Sequence, residues 1–126
     1  MDKTTLVDKD IKEGKEIVET LDKVGLFFPI AMWFFMPNKN EWRLFFGKED
    51  INYVGSRGYY KKIHKVLNKI TPRPDITSND ISLISTENEI VKLIQAAIKT
   101  HKKKSGIRSK AISGRLLSDA YVYRAA

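Results

Sequence analysis

The chain has 126 residues, 42% hydrophobic and 30% charged, which suits one globular domain with a real core. Having no cysteine, it can form no disulfide, thiolate metal site or cysteine nucleophile. Its net charge of +8 is unevenly placed: residues 1–50 carry 8 Lys/Arg against 10 Asp/Glu, and residues 51–126 carry 15 against 5.

A basic half attracts polyanions such as nucleic acid, acidic membrane or an acidic protein. A lysine-rich surface also serves solubility alone. No segment reads as a targeting leader or a membrane span, so a bacterial-type cytoplasm is the expected setting.

Residues 1–7 are expected to be disordered. Asp8 can cap a helix running to about Val24. Ile11, Ile17, Val18, Leu21 and Val24 form its apolar stripe, while Glu13, Glu16 and Glu19 face water with the lysines. Gly25 is placed to end it.

Leu26 to Phe46 then holds both tryptophans and all six phenylalanines. Within it, Phe27 to Met36 is a ten-residue apolar run. A membrane-spanning helix needs roughly 20 such residues. A short aromatic run bounded by turn residues suits a strand covered on both faces. Pro29 precedes the strand, Pro37-Asn38-Lys39-Asn40 is the turn, and Trp42 to Phe46 is the return strand of a central hairpin. Alternation puts Ile30, Met32, Phe34 and Met36 on one face, and Ala31, Trp33 and Phe35 on the other.

After a loop over Gly47 to Gly55, Ser56 can cap a second helix, about Arg57 to Ile70. Tyr60, Ile63, Leu67 and Ile70 are its apolar positions, with Tyr59 and Val66 at the margins. Lys61, Lys65 and Lys69 recur every four residues on the opposite side, beside Lys62. Like charges at that spacing oppose the helix by roughly 0.2–0.5 kcal/mol per pair, and a polyanionic partner would relieve them.

Thr71-Pro72-Arg73-Pro74 ends the helix. Thr77 to Asp80 reads as a tight turn and Ile81 to Ser85 as a short strand, parallel to a hairpin strand through a crossover. Thr86 and Glu89 form a capping box for a third helix to about Lys99, burying Ile90, Leu93, Ile94, Ala97 and Ile98. Residues 100–106 are a basic linker leading to a strand near Ile107. Ser113-Gly114 is a turn, and Arg115 to Arg124 is the last strand.

The expected fold is therefore α+β: a single domain with a mixed five-stranded sheet and three helices, in the order α-β-β-α-β-α-β-β. If all helices lie on one side, the other sheet face is open, lined by Trp33, Phe35, Arg43, Phe45, Tyr121 and Tyr123.

Several segments resemble a family of small uncharacterised bacterial α/β proteins. They are LVDKDIKEGKE at Leu6 to Glu16, EWRLFF at Glu41 to Phe46, YKKIHKVL at Tyr60 to Leu67 and DISLIS at Asp80 to Ser85, with SGIR at Ser105 to Arg108 and DAYVYR at Asp119 to Arg124. The resemblance implies a compact domain and carries over no active-site residue.

No catalytic or cofactor motif rises above background. Asp75 with Glu87 or Glu89 and Lys92 superficially follows a nuclease pattern, but Glu89 is better used as a helix cap. His64 and His101 have no zinc-site spacing; His64 reads as semi-buried and His101 as solvated. Gly55-Ser56-Arg57-Gly58 lacks the phosphate-loop pattern, though Arg57 and the helix start could hold an isolated anion. Asp119 is expected to pair with Arg108 or Arg43.

Two readings follow. In the first, a non-enzymatic basic module contacts nucleic acid or an acidic protein through Arg57, Lys61, Lys62, Lys65 and Lys69, and through Lys102, Lys103, Lys104, Arg108 and Lys110. In the second, the aromatic sheet face of Trp33, Phe35, Arg43, Phe45, Tyr121 and Tyr123 binds a second copy as a homodimer, or another protein.

Overall fold

A computed structural model describes residues 4–51, 55–101, 115–117 and 120–125. The first helix, α1, spans Asp8–Lys23. Its N-cap is Val7, not Asp8: the Val7 N–H is held at 3.2 Å by the carboxylate of Asp10, which folds back from the third helical position. The C-terminus ends as the glycine suggests. Gly25 sits at φ 83, and the N–H groups of Gly25 and Leu26 reach the carbonyls of Asp22 and Leu21. This closes the helix with a left-handed residue that glycine adopts without strain.

Strand β1, Ile30–Met36, and strand β2, Glu41–Gly47, form the hairpin, with Trp33 opposite Leu44. The Pro37–Asn40 turn closes through the Lys39 N–H on Met36 O and the Asn40 N–H on Pro37 O; Asn40 takes φ 51. Helix α2 spans Arg57–Lys69. A single 3-10 turn, Ser78–Asp80, leads into β3, Ile81–Ile84, which lies parallel to β2 as the crossover reading requires. Helix α3 spans Glu89–His101. Its cap is Asn88, whose side chain accepts the Ile90 N–H at 2.9 Å, rather than Thr86 and Glu89.

The architecture is α+β, with three long helices and a mixed sheet among the described residues. Three strands of the expected set, β1, β2 and β3, fall where the sequence puts them; the end of the chain differs. Arg115–Leu117 (β4) pairs antiparallel with Ala120–Ala125 (β5), so the chain reverses between Leu117 and Ala120 instead of running as one strand. Four strands of four residues or more therefore run in the order β3-β2-β1-β5, with the three-residue β4 along the outer side of β5. The expected strand near Ile107, the turn at Ser113-Gly114 and the pairing of Asp119 lie outside the described residues, as does residues 102–106 of the expected linker.

The helices do not all lie on one side, so the condition for an open sheet face is not met and both faces are covered. Helices α1 and α2 bring Ile17, Val18, Leu21, Ile63, Val66 and Leu67 onto Ala31, Trp33, Leu44, Phe46 and Tyr123. Helix α3 brings Val91 and Ile94 onto Ile30, Met32, Phe45, Ala120 and Val122. Each such aliphatic side chain removed from water contributes roughly 1.5–3 kcal/mol. An aromatic run apolar on both faces needs two covers, and one helix arrives by the crossover after β3 to supply the second.

The exact helix faces shift from those the sequence suggests. Val24 and Leu93 are exposed, while Val91 is fully buried. On α3 the inward line is Val91, Ile94 and Ile98, a stripe that leaves Leu93 outside. Glu13 does not face water alone: its carboxylate accepts the backbone N–H groups of Asp75 and Ile76, and Lys9 reaches Asp75 beside it. That hydrogen bond from Lys9 holds the Asp75 carboxyl below its usual range. Leu6 also packs against the core.

Candidate polyanion-binding groove

The parallel pairing of β3 with β2 leaves β3 on the sheet edge, next to α2. Tyr60 of α2 closes that edge. Its hydroxyl donates to Ile81 O and accepts the Leu83 N–H, both at 3.2 Å, which satisfies two backbone groups that an edge strand leaves bare. The same contact fixes the spacing between α2 and β3. A groove of about 600 Å³ opens there, lined by Arg43, Tyr60, Lys61, His64, Lys65, Ser78, Asn79 and Ile81.

The two walls differ in chemistry. One is the lysine face of α2, with Lys61, His64 and Lys65 all exposed. The other is the 3-10 turn, where Ser78 and Asn79 offer a hydroxyl and an amide. That turn is rigid: the Asp80 carboxylate accepts the Thr77 N–H at 3.0 Å and lies within reach of the Thr77 hydroxyl.

Arg43 ties the walls to the sheet. Its Nε donates to Ser82 Oγ at 2.7 Å, and one terminal nitrogen donates to Asn79 O and Ile81 O. The other lies 3.5 Å from the Glu41 carboxylate. The guanidinium is thus positioned, not free to swing. No carboxylate is among the lining residues, and neither Lys61 nor Lys65 pairs with one among the described residues.

The expected basic residues divide. Lys61 and Lys65 share the groove with Arg43, a residue the sequence assigns to the aromatic face. Lys62 turns to the Tyr59 ring, 5.8 Å from its centroid, and Lys69 and Arg57 are exposed outside the groove. Lys102, Lys103, Lys104, Arg108 and Lys110 lie outside the described residues. His64 is exposed, not semi-buried, because the inward line of α2 runs through Ile63, Val66 and Leu67. Tyr60, His64, Ser78 and Asn79 carry no sign of this role in the sequence, since their meeting depends on the β2–β3 crossover.

The expected aromatic face does not form. Trp33 and Tyr123 are buried under α1, with Tyr121 half-buried beside them, and Phe45 lies on the opposite side under α3. Phe35 stacks edge-on against Trp42 at 5.6 Å, half-buried near the hairpin turn. These six residues therefore present no common surface.

Asp75 packs with α1, whereas Glu89 and Lys92 belong to α3 across the sheet, so the nuclease-like set does not converge. Among the described residues, no group of three His, Asp or Glu side chains could hold a metal ion. No helix among them is long and apolar enough to cross a membrane. No family model, enzyme families included, matches the chain, and neither does any curated protein or solved structure.

Proposed function

We propose that this protein is a non-enzymatic binding module that holds the phosphates of a nucleic acid in the groove between α2 and the β3 edge. The observation that carries the reading is the lining: Lys61, Lys65 and His64 converge with Arg43 on an open groove of about 600 Å³ with no carboxylate among its lining residues, Glu41 lying behind Arg43 at 3.5 Å. Lysine is a side chain that neutralises phosphates, and neither Lys61 nor Lys65 pairs with a carboxylate among the described residues, whereas Arg43 is already engaged by Ser82, Asn79 O, Ile81 O and Glu41 and fixes the groove wall. The repulsion between Lys61 and Lys65 along α2 is relieved when an anion sits between them. The excess of 15 basic over 5 acidic residues in 51–126 supplies long-range attraction to the same partner.

The self-association reading loses its surface, because Trp33 and Tyr123 are core residues. The test is fluorescence anisotropy of labelled oligonucleotides with the wild type and with K61E/K65E. Both lysines are exposed, so the double variant keeps its fold. The reading requires a loss of affinity of about tenfold or more. Unchanged affinity removes the groove from the function.

A further inference from the structure

From the shape and wall chemistry of the groove, we infer that it takes a single strand rather than a duplex, with at least one base laid against His64, Tyr60 and Asn79. The inference rests on the phosphate-binding reading above and narrows it to one class of nucleic acid.

Protein elements that read a duplex insert into it: a helix or a two-stranded ribbon enters the major groove, about 12 Å wide. Here the basic residues line an open, shallow groove of about 600 Å³. A flexible single strand can lie along it.

The two walls of the groove are asymmetric. Lys61 and Lys65 form one side and suit a phosphodiester backbone. Facing them, Asn79 uses its backbone carbonyl for Arg43, while its side-chain amide makes no hydrogen bond among the described residues. An amide offers both a donor and an acceptor, the complement of a base edge. Such edges are free on an unpaired strand and occupied in a duplex.

Two rings border the groove. His64 is exposed on the groove wall. Tyr60 is half-buried, its ring packed against the core and its hydroxyl held on β3, so it borders the groove at a fixed place. Single-strand binders combine a positive groove with ring surfaces on which bases stack, without choosing among sequences. Phosphates beside Lys61 and Lys65 would leave a base between His64 of the same helix and the Asn79 amide across the groove.

The experiment compares labelled oligothymidylate and oligouridylate with a hairpin duplex of the same charge count, at fixed salt, for the wild type, H64A and N79A. Both substituted residues are exposed, so each variant retains the fold, which thermal melting confirms. The wild type is expected to bind single strands about tenfold more tightly than the duplex. In H64A and N79A that ratio falls toward one. Duplex binding equal to or tighter than single-strand binding overturns the inference and leaves the phosphate reading standing. Failure to bind either probe at low salt overturns both.

Discussion

The Trp33 indole N–H donates to the Tyr123 hydroxyl at 3.0 Å, and that hydroxyl in turn donates to the carbonyl of Ile11 in α1 at 2.6 Å. The relay crosses from the central strand to its neighbour and then to the helix above them. It requires Gly14. A Cβ built there would lie 2.2 Å from the Tyr123 hydroxyl oxygen and 2.9 Å from Trp33 Nε1. On propensity alone, Gly14→Ala would favour the helix by about 1 kcal/mol. The contact reverses the sign. We expect a net loss of about 2 kcal/mol in urea unfolding, and a smaller loss when the change is made on a Tyr123→Phe background, where the obstructing oxygen is gone. A stabilising Gly14→Ala would contradict the packing.

A second buried polar group holds the C-terminal strand. Arg124 is 2% exposed, yet charged. It meets the Asp22 carboxylate at 2.6 and 3.3 Å, donates to Phe28 O, and lies over the Phe27 ring at 4.4 Å. Its Nε has no hydrogen-bond partner among the described residues. Removing the carboxylate strands a buried cation, which is far costlier than losing a surface pair. Asp22 is one-third exposed, so Asp22→Asn should cost about 2–3 kcal/mol, below the full range for an enclosed pair. Chemical unfolding reads it directly, and a change within about 0.5 kcal/mol would mean the cation is solvated after all.

The same tyrosine sets an alkaline limit. Burial pushes the Tyr123 phenol above its ordinary value, with the Trp33 hydrogen bond acting in the opposite direction. An unfolded tyrosine ionises near pH 10. The folded state keeps its proton longer, so this contribution to stability is fully present below about pH 10 and is lost as pH rises beyond it. Ultraviolet titration should show Tyr123 ionising only together with loss of fold. Its ionisation in the intact protein would contradict the burial.

The central hairpin and the parallel crossover were legible because their signals are local: an aromatic run apolar on both sides, a proline-asparagine turn, and a strand separated from its partner by a helix. The cover on the second face was implied by that same run but not assigned, since no single residue says which helix supplies it. The division of the last strand into β4 and β5 is hidden in the sequence because the alternation continues unbroken from Arg115 to Arg124.

Of the groove, the row Lys61 and Lys65 was legible from spacing alone. Arg43, Ser78 and Asn79 were not, because they come from two segments that meet only when β3 docks beside β2. His64 was misplaced by one position on the helix wheel. A residue adjacent to the buried Ile63 falls inward or outward according to a rotation that tertiary packing decides.

The most direct test of the phosphate-binding groove is the salt dependence of oligothymidylate affinity, measured by anisotropy at low ionic strength and upward. Lys61 and Lys65 together call for a log–log slope of about −1.4 or steeper, at about −0.7 per neutralised phosphate on a single strand. K61E/K65E should flatten that slope. A slope near zero, or no binding at low salt, would contradict the account.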